Sequence, residues 1–362
     1  MVENLNTRVE AARNQITQLN SSINTKLSEK KDSTMAKAAS AAPYLAPIRA
    51  PPSVKARRVL KGHFGKITSL HWAGDSRSVV SASQDGNLLL WNAVTANKLQ
   101  SITLKSSYVM AVGIEQSKGN LVACGGLDNL CTIYKVDSPA NNHAPAEMAS
   151  HDGFLSCCRF LSEDQILTSS GDSTCLRWSV STGRVIDRFA EHKADAMYLA
   201  LRPNDPHCFL SCSVDKTIKL WDTRSPQTSK QTFTGHEGDV NGVDFLPSDN
   251  NAFATCSEDG TVRLWDVRAY QEVTRFGSVK QNEDPLADTG GYTSIACSKS
   301  GRLIFCGHSD SSVLVYDVLS ERTTPTFTIN QAHDGHVSCL GIAPDGNALC
   351  TGSWDFVLKI WA

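Results

Sequence analysis

From residue 54 to the C-terminus, apolar and polar positions alternate in short runs such as ITSLHW (67–72), SVVSAS (78–83) and NLLLW (87–91). Turn residues, often Asp-Gly or Asp-Asn, separate them. Short β-branched runs bounded by such turns predict antiparallel hairpins. The spacing changes near the N-terminus, where Val2, Leu5, Val9, Ala12, Ile16, Leu19 and Ile23 fall three and four residues apart. That is one apolar stripe on a helix, the seam of a coiled coil. Between the two patterns lies an Ala- and Pro-rich stretch with Pro43, Pro47, Pro51 and Pro52, which reads as extended linker. The chain thus divides into a helix over 1–33, a linker over 34–53 and a β region over 54–362.

The β region repeats. Seven times an Asp precedes an aromatic by six residues: Asp85, Asp128, Asp172, Asp215, Asp259, Asp310 and Asp355 pair with Trp91, Tyr134, Trp178, Trp221, Trp265, Tyr316 and Trp361. Successive Asp residues are 43, 44, 43, 44, 51 and 45 apart. Five units carry a His 21 to 23 residues before the Asp: His63, His151, His192, His236 and His333. Four short strands per unit make one propeller blade, and seven units predict an all-β, seven-bladed β-propeller behind the helical arm. The last unit ends at Ala362 without its outer strand. An open edge invites aggregation, so the strand-like segment Val54 to Leu60 is expected to fill that place and lock first blade to last.

The His and Asp residues are read as scaffold rather than as catalytic or metal groups. A turn Asp accepts hydrogen bonds from backbone N–H groups and from a His, and seven copies spread round a ring do not converge on one pocket. No nucleophile–base pair, phosphate loop or metal cluster is evident, so neither enzyme activity nor a cofactor is expected. Charge is nearly balanced, 35 basic against 37 acidic residues, which removes the footprint of a nucleic-acid binder. The twelve cysteines sit in apolar strand-like segments without paired CxxC spacing, and read as buried reduced thiols in a cytosolic chain. No signal peptide, membrane-spanning run or lipidation motif is present, so any membrane attachment is expected to come from a partner.

The arm, marginal as a lone helix, wants a partner. A parallel homodimer would set Arg8 against Arg13, a mild repulsion that favours a different, acidic helix; packing back on the propeller stays open. On the propeller, equivalent positions of all blades converge at a rim. One ring is the residue before each first strand: Lys66, Tyr108, Phe154, Asp195, Asp239, Gly291 and His336. Two residues on stand Thr68, Met110, Ser156, Met197 and Asn241. The residues before the turn Asp form another ring: Gln84, Leu127, Gly171, Val214, Glu258, Ser309 and Trp354. Aromatic and Met groups where polar tips are expected, flanked by Lys66, Asp195, Asp239 and Glu258, predict a protein-docking surface. A fraction of these side chains lining the central channel instead is the competing reading.

The Gly-His and Trp-Asp pairs (Gly235-His236, Trp265-Asp266, Trp221-Asp222) resemble the WD-repeat family. The stretches LKGHFGKITSLHW, SASQDGNLLLW, GFLSCCRF, FTGHEGDVN and TGSWDFVLKIW, behind a coiled-coil arm, narrow that resemblance to the β subunits of heterotrimeric G proteins. The resemblance implies that the arm pairs with a small lipid-bearing γ subunit. It implies that Lys66, Tyr108, Met110, Leu127, Phe154, Asp195, Met197, Asp239, Glu258 and Trp354 bind the GDP-bound α subunit and, once freed, effectors. It places the α subunit's N-terminal helix beside the first blade near Phe64, Leu89 and Lys98, and the assembly at the inner face of the plasma membrane. Thr68, Tyr108, Phe154 and Glu258 replace the family's usual Tyr, Trp, Tyr and Asp, and only Thr68 is expected to cost a contact. A coiled-coil WD-repeat adaptor of another complex is the alternative reading.

Overall fold

The computed structural model describes residues 54–136, 146–277, 290–320 and 322–362, together with Gln15, Gln18, Leu19, Ser21 and Ser22. The rest of the predicted arm, the linker 34–53 and the acidic loop 281–288 lie outside the described residues. The chain divides into two compact units, and all the strands described below belong to the one formed by Ile48–Val318 and Arg322–Ala362.

Seven four-stranded antiparallel sheets make up this unit. Blade 1 runs Ile67–Trp72, Ser78–Ser83, Asn87–Asn92 and Asn97–Thr103, and blades 2 to 6 repeat the order, opening on Val109–Ile114, Leu155–Phe160, Ala196–Leu201, Val240–Leu246 and Tyr292–Cys297. Blade 7 takes Val337–Ile342, Leu349–Ser353 and Val357–Trp361 from the C-terminus and its fourth strand, Ala56–Lys61, from the start of the β region. Leu60 pairs with Leu358 and Val59 with Lys359, so the expected closure is present. Each first strand packs on the first strand of the next blade, and Val337–Ile342 packs on Ile67–Trp72, which completes the ring.

The core is divided among the seams. Seven apolar clusters each bridge two adjacent blades; the one between blades 7 and 1 gathers Leu60, Ile67, Leu89, Trp91, Leu358 and Ile360, and the next gathers Val80, Leu88, Val112 and Val122. Both faces of a blade are therefore covered. Second strands read as unbroken apolar or small runs, as in Cys208–Ser213, buried throughout, whereas outer strands such as Asn97–Thr103 are largely exposed. A single blade has no partner for its apolar faces, and stability comes from neighbours.

All twelve cysteines are free and buried. Burial pushes the Cys131 and Cys339 thiols up to about 12, far from the reactive thiolate range. Native protein should therefore take up no iodoacetamide at neutral pH, while unfolded protein takes up twelve equivalents by mass spectrometry; rapid labelling of the native state would contradict this packing.

Candidate protein-docking face

The repeat residues build the scaffold first. In blade 5, His236 Nδ1 meets Asp259 Oδ2 at 2.8 Å and its Nε2 meets Thr255 Oγ1 at 2.7 Å. Trp265 Nε1–H donates to the same Thr255 oxygen at 2.9 Å. His63, Asp85, Ser81 and Trp91 repeat this in blade 1, as do the equivalent groups of blades 3, 4 and 7. The sequence pointed to the His–Asp half of this chain of bonds; the Ser or Thr that joins His to Trp, ten residues before the Trp, was an equally periodic signal and was missed. Blades 2 and 6 lack the His, and only blade 6 has a substitute. Asp128 accepts only long bonds from Gly126 and Leu130 N–H, and the Tyr292 and Tyr316 hydroxyls bond to each other at 2.5 Å.

The five turn carboxyls of the tetrads shift in one direction. Burial alone would raise the carboxyls of Asp85, Asp172, Asp215, Asp259 and Asp355, but the His and backbone hydrogen bonds hold all five below the usual carboxylate range. A group whose folded pKa is depressed stabilises the fold above its unfolded pKa, and that contribution is lost as pH falls towards the folded value. The unfolding temperature should therefore drop steeply below about pH 3.9, and the drop should be shallower in a variant lacking one tetrad Asp. Equal acid limbs in the two proteins would refute this assignment.

The two rings of rim residues are physically joined. In every blade the residue before the turn Asp donates its backbone N–H to the carbonyl of the residue before the first strand: Gln84 to Lys66, Leu127 to Tyr108, Gly171 to Phe154, Val214 to Asp195, Glu258 to Asp239, Ser309 to Gly291 and Trp354 to His336, all within 2.9–3.1 Å. A β-bulge follows in each first strand, between Ile67 and Ser69, Val109 and Ala111, and so on round the ring. The bulged residue is left out of the ladder and re-aimed. Where it is polar it ties its blade to the next. Thr68 Oγ1 donates to Val109 C=O at 2.8 Å, Asn241 Nδ2 to Tyr292 C=O at 2.8 Å and Ser338 Oγ to Ile67 C=O at 2.6 Å. Thr68 thus has a structural partner of its own. In blades 2 and 4 the bulged residues are Met110 and Met197, which line the mouth of the channel instead.

A cavity of about 510 Å³ opens there, lined by Tyr108, Met110, Leu127, Met197 and Trp354 among others. Tyr108 is 59% exposed, Leu127 56% and Trp354 41%. Single exposed apolar residues mean little, but a contiguous group round one cavity marks a binding surface. Lys66 Nζ stands 3.9 Å over the Trp354 ring, a cation–π contact, and the His336 ring lies 4.6 Å away. His336, one of the expected rim positions, lines the same cavity, and Phe356, two residues beyond Trp354, is exposed although sequence reasoning did not single it out. Phe154 is half-buried; its ring lies so close over Gly171 that a Cβ there would sit 2.4 Å from it. Asp195 and Asp239 are half-buried and Glu258 is exposed, at the same ring positions.

Beside blade 1, Phe64 is 88% exposed and Lys98 is exposed. Leu89 is not available with them. It is 2% exposed, packed with Leu60 and Trp91 in the seam between blades 7 and 1, and the expectation that it forms a surface contact is corrected. Alternation along the strand does turn Leu88 and Leu89 to opposite faces, but a neighbouring blade covers each face. Of the coiled-coil positions, Leu5, Val9, Ala12, Ile16 and Ile23 lie outside the described residues, and Leu19 is exposed. Among the described residues no His, Cys, Asp and Glu cluster suits a metal ion, and no helix is long and apolar enough to cross a membrane.

A closed ring of seven blades, five of them carrying the His–Asp–Ser/Thr–Trp tetrad, defines a WD-repeat propeller. The profile of the G protein beta WD-40 repeat family matches residues 6–362. The chain belongs to that family, whose members are propeller scaffolds and not enzymes. It is 39% identical over 317 residues to guanine nucleotide-binding protein subunit beta-2 of Nicotiana tabacum, covering 84% of this chain and 82% of the relative. It is 37% identical to subunit beta of Solanum tuberosum and 38% to that of Zea mays, each over 84% of this chain and 82% of theirs.

Proposed function

We propose that the chain is the non-catalytic β subunit of a heterotrimeric G protein, dimerised through its N-terminal arm with a γ subunit. In this reading the face around Trp354 docks the GDP-bound α subunit and, once that subunit leaves, effectors. The observation that carries it is the convergence of Tyr108, Met110 and Leu127 of blade 2, Met197 of blade 4 and Trp354 of blade 7 on one apolar mouth. Lys66, Phe154, Asp195, Asp239 and Glu258, on the same two rings, supply the surrounding charge and area. Phe64 and Lys98 would receive the N-terminal helix of α, without Leu89. Relatives named as guanine nucleotide-binding protein β subunits support the reading. A rigid wheel needs no rearrangement to act: nucleotide exchange on α uncovers the face, and occupancy alone decides which partner reads it. Membrane association follows through lipidated partners at the inner face of the plasma membrane.

The test is co-expression with candidate γ chains, followed by capture on immobilised α. Soluble dimer retained by GDP-loaded α and released by a non-hydrolysable GTP analogue is the expected result. Retention by neither form would favour the adaptor reading, in which the propeller serves another complex.

A further inference from the structure

Deeper along the channel, the lining changes from apolar to charged. A cavity of about 250 Å³ is bounded by residues from all seven innermost strands or the turns after them, among them His71, Arg159, Tyr198 and Asp244. Arg159 is buried. Its Nη1 donates to the carbonyls of Val112 and Cys158 at 3.0 and 2.7 Å, and its Nη2 to the Tyr198 hydroxyl at 2.5 Å. All three acceptors are neutral. Among the described residues no carboxylate pairs with this guanidinium, and its Nε–H and second Nη2–H have no protein acceptor. A buried cation without a counter-charge is costly, and this one borders a cavity.

Two neighbours bear on what compensates it. Ile114 N–H donates to His71 Nδ1 at 3.1 Å, so the neutral ring carries its proton on Nε2, which bonds to nothing among the described residues. Burial, and after it the Arg159 charge, keeps His71 well below its usual pKa, hence neutral. Asp244 accepts the Cys297 N–H at 2.8 Å. Burial pushes its carboxyl up to about 7, against the pull of the Cys297 N–H and Arg159. The titratable groups facing Asp244 are Arg159 from blade 3, Tyr198 from blade 4 and Cys297 from blade 6; its partner on the second strand of its own blade is Ala254. Burial raises Tyr198 to about 12 and lifts Cys297 well above the usual thiol value, so neither is charged near neutrality. With Asp244 protonated, the guanidinium is the one charge left among these groups.

We propose that this stretch of the channel binds a small monovalent anion, held by the free N–H groups of Arg159 and by His71 Nε2–H. Ionised Asp244 supplies the counter-charge itself and repels the anion, so anion and proton enter together. The site adjoins the cavity at the docking face, sharing Tyr198 and Leu340 with it, and its anion is bound by groups that do not line that face.

Bromide is the probe, because its anomalous scattering locates it. Crystals of the full chain grown with bromide near pH 6 should show a peak within hydrogen-bond reach of Arg159. The bromide-dependent rise in unfolding temperature, against a gluconate control, should report an affinity that weakens about tenfold per pH unit above about pH 7. Asp244→Asn should keep the low-pH affinity at about pH 8, because it cannot ionise, and Arg159→Gln should abolish the effect. No channel peak, or a bromide response that is the same in wild type and Asp244→Asn at both pH values, would overturn the proposal. If Arg159→Gln does not fold, that comparison of wild type with Asp244→Asn decides alone.

Discussion

Asp259→Ala should destabilise the propeller by about 3–5 kcal/mol, the largest single effect expected of a tetrad substitution. Its carboxylate accepts four hydrogen bonds in a buried turn: from His236 Nδ1 at 2.8 Å, Glu237 N–H at 3.0 Å, Thr261 N–H at 2.8 Å and Thr261 Oγ1 at 2.6 Å. It also faces the buried Arg263 guanidinium at 3.6 Å. Alanine leaves these donors without their carboxylate, while Arg263 keeps Glu272 at 2.7 Å, and removing one side of a buried polar set costs far more than the set contributed. Asp128→Ala is the internal control. Asp128 is exposed, has no His, and accepts two bonds at 3.3 Å, so its loss should cost under about 1 kcal/mol. Denaturant midpoints of the two variants should differ accordingly; equal midpoints would mean that the tetrad does not carry the turn.

Under the proposed function, Trp354→Ala should weaken binding to the GDP-bound α subunit by about 1–3 kcal/mol, or roughly 5- to 150-fold, while leaving γ assembly unchanged. Trp354 is the largest exposed side chain at the channel mouth, and Lys66 and His336 hold it in place before any partner arrives. A pre-ordered aromatic loses little side-chain entropy on binding, which is why such residues dominate interfaces. The backbone bond from its N–H to His336 C=O survives the substitution, so the turn should keep its shape. Val185→Ala, on the exposed outer strand Arg184–Phe189 of blade 3, should leave α affinity unaltered. Calorimetric titration of the two variants against wild type checks both statements, and unchanged affinity in Trp354→Ala would remove the residue from the face.

Much of this architecture was legible in the sequence because the repeat prints each structural requirement seven times. The Asp-to-aromatic spacing gave the turn and third strand, and the shortfall at Ala362 gave the closing strand Ala56–Lys61. The rim rings followed from position alone, and the shared N–H to carbonyl bond explains why that counting works. Three features were not readable. The bulge in each first strand leaves no residue signature, since Thr68, Met110, Ser156 and Met197 all occupy it. Leu89 was misplaced because the resemblance was carried over by position alone, whereas neighbouring blades cover both faces of its strand. The residue after each turn Asp adopts positive φ in every blade, yet only Gly86, Asn129 and Gly260 announce it; Phe356 does so at +70°. Tertiary packing imposes that conformation against the residue's own preference.

The central claim is that tips distant in sequence form one disc that α covers in its GDP state. Hydrogen exchange of the β–γ dimer, read by mass spectrometry with and without α, tests it most directly. Added GDP-bound α should slow exchange in the peptides holding Tyr108–Met110, Leu127, Met197 and Trp354 together, and α loaded with a non-hydrolysable GTP analogue should not. Protection confined to outer strands such as Asn97–Thr103 and Arg184–Phe189, or equal protection by both nucleotide forms, would contradict the account.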